Sequence, residues 1–412
     1  MRKLFFLASF FVTYTAHTQD TLRIMSYNVL NYSSSHYPTR YNDMKEILMH
    51  VKPDIVVCSE MVDASGAELL LDNAFNMAGL GTFSRSTFID GPDTDNMIYY
   101  NTGKVKFKAQ YQITTALRNI TRYRMYFLIS PTDTAWMDIF SCHLKASSGF
   151  EAERLAECQD LCTYMAGMDN NQNIIVGGDF NFYGSSTETG FNWLTSTNCS
   201  HQLYDPINRI GNWNNNSSFK DVHTQSTRVN NEPDGGSTGG MDDRFDFLFT
   251  NANVMDGTDK VRYVYDSYTT VGQDANHFNL AVTDSPTNSA VPASVANALY
   301  DMSDHLPIYF DVAIAVDINV SEYAHNLTAA NVVWINDGNA MSESRFIVNS
   351  TKFMQTTLEV TDMSGKKVVS QQLNLNSGDN YVTLTNADLQ KGQYLLTIKN
   401  NEGWIGCKFL RF

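Results

Sequence analysis

The sequence predicts a mixed α/β domain followed by a small all-β domain, and three observations support this. From about residue 22 to residue 313, short apolar runs alternate with segments of helical periodicity. After Val316 the helical periodicity disappears, and strand-like runs are separated by short turns. The chain has 412 residues, which exceeds the usual size of one domain.

The N-terminus has the pattern of a secretory signal peptide. Arg2 and Lys3 precede an apolar run over residues 4–12, and the small residues Ala16 and Thr18 follow. We therefore predict a signal peptide over residues 1–18 and an exported mature protein. No later stretch approaches 18 consecutive apolar residues, so we expect no transmembrane segment.

Short apolar strands of the first domain each end in a polar residue. Within residues 174–183, a β-branched run precedes Gly177 and Gly178, whose backbone can approach a neighbour closely, and Asp179 and Asn181 follow. A carboxylate at the end of a buried strand is costly unless it is hydrogen-bonded or meets a cation. The same form recurs in the runs 22–27, 55–58 and 137–142, which end at Asn28, Glu60 and His143.

Amphipathic helices are predicted between these strands, over residues 41–51 and 151–168. Further strands are expected near residue 99 and at residues 126–129, 245–249 and 308–313. The polar segments 208–240 and 273–294 are predicted to be long loops. Loops of this length are usually functional, so we place them at the rim of a site, with simple insertions as the alternative.

The charge balance limits the partners of the protein. The net charge is −15, and loss of residues 1–18, which hold two basic and no acidic side chains, makes it −17. This argues against broad nonspecific adhesion to nucleic acid, because Lys and Arg supply most of that affinity. It does not exclude a nuclease, since a divalent metal ion can supply positive charge locally.

Six cysteines remain after signal removal, in a compartment that permits disulfides. Their spacing leaves bridges and buried free thiols equally open. No second pair of Cys or His ligands accompanies them, so a zinc site is not expected.

Six motifs, taken together, resemble those of the endonuclease/exonuclease/phosphatase superfamily. In chain order they are YNVLNY, CSEM, SCHLKA, GGDFN, DRFDFLF and MSDHLP. The resemblance covers about residues 22–313 and implies a four-layer α/β sandwich, with two packed mixed sheets flanked by helices and a site at one edge. One strand-end polar residue is more often structural than catalytic, but eight in this order favour a site. They are Asn28, Glu60, His143, Asp179, Asn181, Asp246, Asp304 and His305.

The resemblance implies a divalent metal site. Glu60 would hold Mg²⁺ with Asn28 beside it, and Asp304 would lie close enough to contribute. Oxygen ligands of this kind suit Mg²⁺, with Mn²⁺ or Ca²⁺ as alternatives. The acidic loop with Asp90, Asp93 and Asp95 is a further Ca²⁺ candidate, but it lacks the spacing of a known calcium loop, which favours a plain turn.

The resemblance also implies hydrolysis of a phosphate ester. Asp179 would orient or deprotonate the attacking water, and Asn181 would position a phosphate oxygen. His305, held by Asp246, would bind or protonate the phosphate, and His143 would contact the scissile phosphate or act as a general acid. The family places an Arg or Tyr in a middle strand against phosphate. Arg122 and Arg124 both fit that position because alternate strand residues point the same way, and we predict Arg122.

The C-terminal segment resembles type A sorting domains of the type IX secretion system of Bacteroidetes. The resemblance rests on LEVTDMSGKKVVSQQLNL, YVTLTNADLQKGQYLLTI and the closing KFLRF. It implies the type IX machinery as a partner, and export through the periplasm and outer membrane to the cell surface or medium. A carbohydrate-binding β-sandwich is the alternative. The predicted organisation is a signal peptide (1–18), a catalytic domain (20–316), a linker (317–331) and a β-sandwich sorting domain (332–412).

The sequence therefore predicts a secreted, monomeric, metal-dependent phosphoesterase. Our first choice is a nuclease that hydrolyses phosphodiester bonds of DNA or RNA by in-line attack of an activated water. A phosphodiesterase or phosphatase acting on sphingomyelin-type or inositol phosphate substrates is the alternative. A surface protein that binds phosphorylated ligands without turnover would not need both histidines and a water-activating acid.

Overall fold

The computed structural model describes residues 20–316, 330–335, 343–362, 366–385, 389–390, 392–400 and 403–411. The predicted signal peptide and residues 317–329 of the predicted linker lie outside these ranges. Residues 330 and 331, which we assigned to the linker, instead begin a strand.

Residues 20–316 contain strands, α-helices and short 3₁₀ turns. The strands are β1 (Thr21–Tyr32), β2 (Ile55–Met61), β3 (Phe83–Arg85), β4 (Asp95–Asn101), β5 (Val105–Ile113), β6 (Ile120–Ser130), β7 (Asp133–His143), β8 (Ile174–Asp179), β9 (Leu203–Tyr204), β10 (Asp246–Asn251), β11 (Lys260–Tyr263), β12 (Thr269–Thr270) and β13 (Ile308–Val316). The helices are α1 (Tyr41–Val51), α2 (Ala64–Asn73), α3 (Glu151–Ala166), α4 (Thr189–Leu194), α5 (Ala252–Asp256) and α6 (Ala293–Met302).

These strands form two mixed sheets. The first sheet has the order β11-β13-β1-β2-β4-β3, with β12 also paired to β13, and the second has the order β5-β6-β7-β8-β10-β9. Strand β1 is parallel to β2, and β7 is parallel to β8. The remaining neighbours are antiparallel, so each sheet is built around one parallel pair.

Three apolar clusters divide this region into four layers. Side chains such as Ile24 and Val57 of the first sheet pack against Ile139 and Ile175 of the second sheet. A second cluster fills the space between the first sheet and helices α1, α2 and α6, and a third lies between the second sheet and helices α3 and α4. The predicted four-layer α/β sandwich is therefore confirmed.

The helices follow from local signals of unequal strength. Helix α1 matches its predicted bounds, because one face carries Met44, Ile47, Leu48 and Val51, all of which are buried. Helix α2 was not predicted from periodicity, but it has an N-cap, since Asp63 Oδ1 accepts a hydrogen bond from the Gly66 N–H at 2.6 Å. Helix α6 is also not predicted by periodicity, and it begins at Ala293, within the last two residues of the segment 273–294 that is predicted to be a loop.

A disulfide joins Cys162 in α3 to Cys199 after α4. Cys58, Cys142 and Cys158 are buried free thiols, so this region contains both of the states that the spacing left open.

The C-terminal region is all β in its described residues. The strands are β14 (Ala330–Ile335), β15 (Glu343–Ser350), β16 (Met354–Asp362), β17 (Lys367–Leu375), β18 (Gly378–Thr385), β19 (Gly392–Asn400) and β20 (Gly403–Arg411). They form sheets of order β14-β15-β18 and β17-β16-β19-β20, and residues such as Val332, Phe346, Leu358 and Leu396 share one apolar cluster. This confirms a small all-β sandwich. Among the helices of the described residues, none is long and apolar enough to cross a membrane.

Candidate active site

The eight polar residues singled out in the sequence meet at one edge of the sandwich. The parallel pairs β1/β2 and β7/β8 end at this edge, and the antiparallel strands β10 and β13 begin there. Strand ends that are far apart in the chain are thereby brought into hydrogen-bonding distance. From β1 and β2 come Asn28 and Glu60; from β7, β8 and the turn after β8 come His143, Asp179 and Asn181; from the start of β10 comes Asp246; and from the turn before β13 come Asp304 and His305.

One half of the site is centred on two carboxylates. Asn28 Nδ2 donates hydrogen bonds to Glu60 Oε1 at 2.9 Å and to Asp179 Oδ2 at 3.1 Å. The Asn31 N–H donates to Glu60 Oε2 at 2.9 Å. His143 Nε2 lies 3.7 Å from Glu60 Oε1 and 3.6 Å from Asp179 Oδ2. Among the described residues, Glu60, His143 and Asp179 are the group of acids and histidines whose ligand atoms all lie within 4.8 Å of one another.

The other half of the site holds His305. Its Nδ1 lies 2.7 Å from Asp246 Oδ2, and its Nε2 lies 3.6 Å from Asp179 Oδ2. The hydroxyl of Ser303 accepts the His305 N–H at 3.1 Å and donates to the Asn28 carbonyl at 2.7 Å, which joins the two halves. Asp304 Oδ2 accepts the Ser237 N–H at 2.6 Å.

Asn181 is placed by the turn that follows β8. Its N–H donates to Asp179 Oδ1 at 3.0 Å, and its Nδ2 donates to the Leu144 carbonyl at 3.2 Å. The residue has a φ of 52°, a left-handed conformation that asparagine adopts more readily than most residues. The turn thereby links the end of β8 to the residue that follows His143.

The two glycines before Asp179 are required by close approach, as the sequence predicts. Gly178 has a φ of 145°, and a Cβ there would lie 1.9 Å from the Cys142 carbonyl oxygen. A Cβ on Gly177 would lie 2.8 Å from Leu248 Cδ2 and 3.3 Å from Val57 Cγ2, which belongs to the opposite sheet. A side chain at Gly178 would clash with the backbone of the neighbouring strand β7, and one at Gly177 would crowd side chains of both sheets where the site forms.

Burial and mutual repulsion raise the pKa values of two acids of the site. The pKa of Asp179 is raised to about 7, chiefly by burial; Asp246 and Glu60 contribute to the rise, and His305 opposes it. Burial likewise raises the pKa of Glu60, and Asp304 adds to the shift. A buried carboxylate pair with raised pKa values fits a divalent cation, because the cation would supply the missing positive charge.

The pKa values of the two histidines shift in opposite directions. Burial lowers the pKa of His143 well below its usual range, and Arg118 and His305 lower it further. Burial also lowers the pKa of His305, but the surrounding carboxylates, Asp246 first, outweigh this and place it well above the usual range. The site thus pairs a neutral imidazole with a protonated one, which suits different tasks in one reaction.

In the described residues, Arg122 bonds to side chains outside this cluster, and its contact with phosphate stays a prediction. Its Nε lies 2.7 Å from Asp138 Oδ1, and one of its terminal nitrogens contacts the Tyr164 hydroxyl at 3.2 Å. Arg124 also contacts Asp138, at 3.2 Å. Asp138 is 1% exposed, so both guanidinium groups serve to compensate a buried carboxylate on β7.

Arg118 is a cationic residue near the site that the sequence did not reveal. It donates to the Leu144 carbonyl at 3.1 Å, directly after His143, and its Nε pairs with Asp93 Oδ2 at 2.9 Å. Asp95 Oδ1 accepts the Gly91 N–H at 2.9 Å. The acidic loop therefore forms a turn and an ion pair, and it is not among the groups of three acids that could share a metal in the described residues.

Gln225 is a second residue that the motifs did not reveal. Its Nε2 lies 2.6 Å from His305 Nε2 and 3.4 Å from Asp304 Oδ2. It lies in the segment 208–240, so this predicted rim loop reaches the centre of the site. The segment 273–294 differs, because its buried His277 bonds to Asp274 and to the carbonyls of Asp284 and Pro286 in the same segment. The only available signal was the polar composition of the loops.

A buried ion pair braces the segments that follow His143 and Asn181. The Arg154 guanidinium donates to both carboxylate oxygens of Glu188, at 3.1 and 2.6 Å, and both side chains are fully buried. Arg154 also donates to the carbonyls of Lys145 and Ser147, at 2.9 and 2.8 Å. Glu188 Oε1 in turn accepts the Tyr183 N–H at 3.2 Å.

Comparison with known proteins gave one matching family model and a set of similar solved structures. Residues 342–410 match the family model of the secretion system C-terminal sorting domain, which confirms the predicted sorting domain. No curated protein sequence matches the chain. Similar solved structures include D. rerio TDP2 complexed with single-strand DNA product (17% identity, 71% of this chain and 98% of that chain covered, TM-score 0.45). They also include the human Nocturnin catalytic domain with bound sulfate (18%, 72% and 97%, TM-score 0.42) and an endonuclease/exonuclease/phosphatase family protein from Bacteroides thetaiotaomicron (13%, 73% and 97%, TM-score 0.45). Likeness at this level says nothing about the substrate of this chain.

Proposed function

We propose that this chain is a secreted, divalent-metal-dependent phosphoesterase of the endonuclease/exonuclease/phosphatase superfamily, and that it acts as a nuclease on phosphodiester bonds of DNA or RNA. The observation that carries the proposal is the convergence of eight predicted polar residues at one sheet edge. Phosphate ester hydrolysis needs an activated water, stabilisation of charge on phosphorus and protonation of the leaving oxygen. The site offers a candidate for each need.

Glu60 would hold the metal, with Asn28 orienting the carboxylates of Glu60 and Asp179 through its side-chain amide. The metal, when bound, would polarise a phosphate oxygen and neutralise developing charge. Mg²⁺ suits these oxygen donors best, and Mn²⁺ is the natural substitute. Asp304 would lie beside the metal ligands and would not bind the metal directly, since its carboxylate already accepts the Ser237 N–H.

The remaining groups would divide the proton transfers. Asp179, whose pKa burial raises to about 7, would accept a proton from the attacking water. His305, kept protonated by Asp246, would donate to a phosphate oxygen or to the leaving oxygen. His143 would bind the phosphate as a neutral donor, and the Asn181 carboxamide would position a phosphate oxygen.

The sorting domain supports an extracellular setting for this activity. We propose that the type IX machinery recognises the C-terminal region and delivers the protein to the cell surface or the medium. Nucleic acid in the medium would then be the substrate, and the local positive charge of the metal would offset the overall acidity of the chain.

The test is hydrolysis by the purified mature protein with Mg²⁺, on plasmid DNA, RNA, sphingomyelin and inositol phosphates in parallel. We expect cleavage of DNA or RNA that excess EDTA abolishes and Mg²⁺ restores. Cleavage of a lipid or inositol phosphate alone would replace the nuclease assignment. Activity that is undiminished in EDTA, or no hydrolysis of any ester, would refute the phosphoesterase proposal.

Metal binding is tested independently of turnover by the thermal midpoint in Mn²⁺. We expect Mn²⁺ to raise the midpoint of the wild type but not that of Glu60→Gln, because ligand binding stabilises the folded state. Glu153→Gln, an exposed change on α3, is the matched control and should respond as the wild type does. Equal responses in all three proteins would remove Glu60 from the metal site.

A further inference from the structure

Gln225 is held against the site by its backbone. Its N–H donates to the Asp243 carbonyl at 3.0 Å, and its carbonyl accepts the N–H groups of Asp242 and Asp243 at 2.8 and 3.0 Å. On the other side, the Thr224 carbonyl accepts the Leu306 N–H at 2.7 Å. The segment around Gln225 therefore lies between residues 242–243 and the turn that carries His305, which fixes its backbone beside the site.

The Gln225 carboxamide faces the one imidazole nitrogen of His305 that Asp246 leaves open. The distance between Gln225 Nε2 and His305 Nε2 is 2.6 Å, while His305 Nδ1 is engaged by Asp246. An amide nitrogen only donates, and the Nε2 of the protonated His305 also donates, so neither group can accept a hydrogen bond from the other. An anionic oxygen placed beside them could instead accept hydrogen bonds from both. Gln225 is partly exposed, so a ligand can reach it.

The charges around Gln225 and His305 bear on which phosphate esters could bind there. Gln225 is neutral, and the carboxylates of Asp304 and Asp246 lie next to the imidazole that it contacts. Asp243, which pairs with the Gln225 backbone, adds another acid nearby. Among the protein groups, these acids outnumber the one cationic side chain, His305, and no Lys or Arg contacts them in the described part of the chain. The protein groups would therefore repel a doubly charged phosphate monoester more than a singly charged phosphodiester.

We propose that Gln225 is a substrate-binding residue whose carboxamide donates to the phosphate oxygen that His305 contacts, and that the uncharged Gln225 among neighbouring carboxylates selects phosphodiesters over phosphate monoesters. The inference rests on the proposed function, since it needs a phosphate at this site. It adds a residue and a substrate class that the six motifs do not specify.

The experiment compares the wild type with Gln225→Ala, Gln225→Glu and Gln225→Lys in the full mature protein with Mg²⁺. The probes are bis(p-nitrophenyl) phosphate as the diester and p-nitrophenyl phosphate as the monoester. Gln202→Ala is the matched control, because its amide bonds to the Thr195 carbonyl at 2.8 Å and contacts none of the eight site residues. Thermal midpoints are measured for all proteins.

We expect the wild type to prefer the diester by at least about tenfold in kcat/KM, the factor that one interaction with a charged group typically supplies. Gln225→Ala should raise KM for the diester about tenfold and change kcat less, because a hydrogen bond to the bound phosphate is lost. Gln225→Glu, which keeps the shape, should lose roughly a hundredfold in kcat/KM by repulsion. Gln225→Lys should shift the preference toward the monoester.

The possible outcomes distinguish failure of the Gln225 inference from failure of the proposed function. If the wild type and Gln202→Ala are active but both Gln225→Ala and Gln225→Glu keep the wild-type KM, the inference is wrong while the proposed function stands. A wild type that prefers the monoester would overturn the selectivity. A wild type that hydrolyses no phosphate ester would refute both the proposed function and the inference on Gln225. If Gln225→Ala does not fold, the isosteric Gln225→Glu decides the question, and a normal KM in that variant refutes the inference.

Discussion

Replacing Arg154 by methionine tests whether the buried pair behind the active site holds its loops in place. Arg154 and Glu188 are both 0% exposed, and the guanidinium makes two hydrogen bonds to the carboxylate and two to backbone carbonyls. Arg154→Met keeps much of the volume but leaves the Glu188 charge buried without its cation. Breaking a buried pair in this way costs about 3–5 kcal/mol of unfolding free energy.

The assay is thermal and urea unfolding of the mature protein, with activity measured at 25 °C. For a domain of this size each kcal/mol lowers the midpoint by about 2–4 °C, so we expect a drop of roughly 10 °C. Turnover should fall as well, because the carbonyls of Lys145 and Ser147, which Arg154 holds, lie just after His143. The double variant Arg154→Met/Glu188→Gln removes both charges and should recover part of the loss.

A matched control uses the same arginine. Glu151 lies 3.6 Å from Arg154 but is 40% exposed, so Glu151→Gln should change the thermal midpoint little. The reasoning is refuted if Arg154→Met melts within about 2 °C of the wild type, or if Glu151→Gln is as costly as Arg154→Met. It also fails if the double variant shows no recovery relative to Arg154→Met.

Three further predictions concern the site, the domain boundary and the disulfide. Asp179→Asn should lower the initial rate at saturating Mg²⁺ by about 10³-fold. Without metal, the thermal midpoint of this variant should equal or exceed that of the wild type at neutral pH. The pKa of Asp179 is raised to about 7 in the folded state, so the folded wild type loses stability as this carboxyl ionises. A midpoint far below that of the wild type would show that Asp179 has a structural role. A chain ending at Val316 should fold and turn over substrate, and a folded but inactive product would contradict the domain division. Cys199→Ser should cost about 4 kcal/mol of unfolding free energy, since the bridge spans 37 residues; dithiothreitol should lower the wild-type midpoint similarly but leave the variant unchanged.

The sequence by itself determined the α/β class, the position of helix α1 and the strand ends that carry the site. These are local properties: apolar periodicity defines a strand or a helix face, and a polar residue at the end of a buried strand stands out against it. The glycine pair before Asp179 was also readable, because close backbone approach leaves no space for a side chain. The all-β C-terminal region could be recognised for the same reason, from runs and turns within one segment.

The tertiary structure alone decided which residues complete the site. Arg122 and Arg124 share a face of β6, and only the position of Asp138 on β7 shows that both serve a buried carboxylate. Gln225 reaches His305 across 80 positions of the chain, and the loop around it has no periodicity that could place it. Contacts of this kind depend on how strands and loops are ordered in space, and local patterns in the chain do not encode that order.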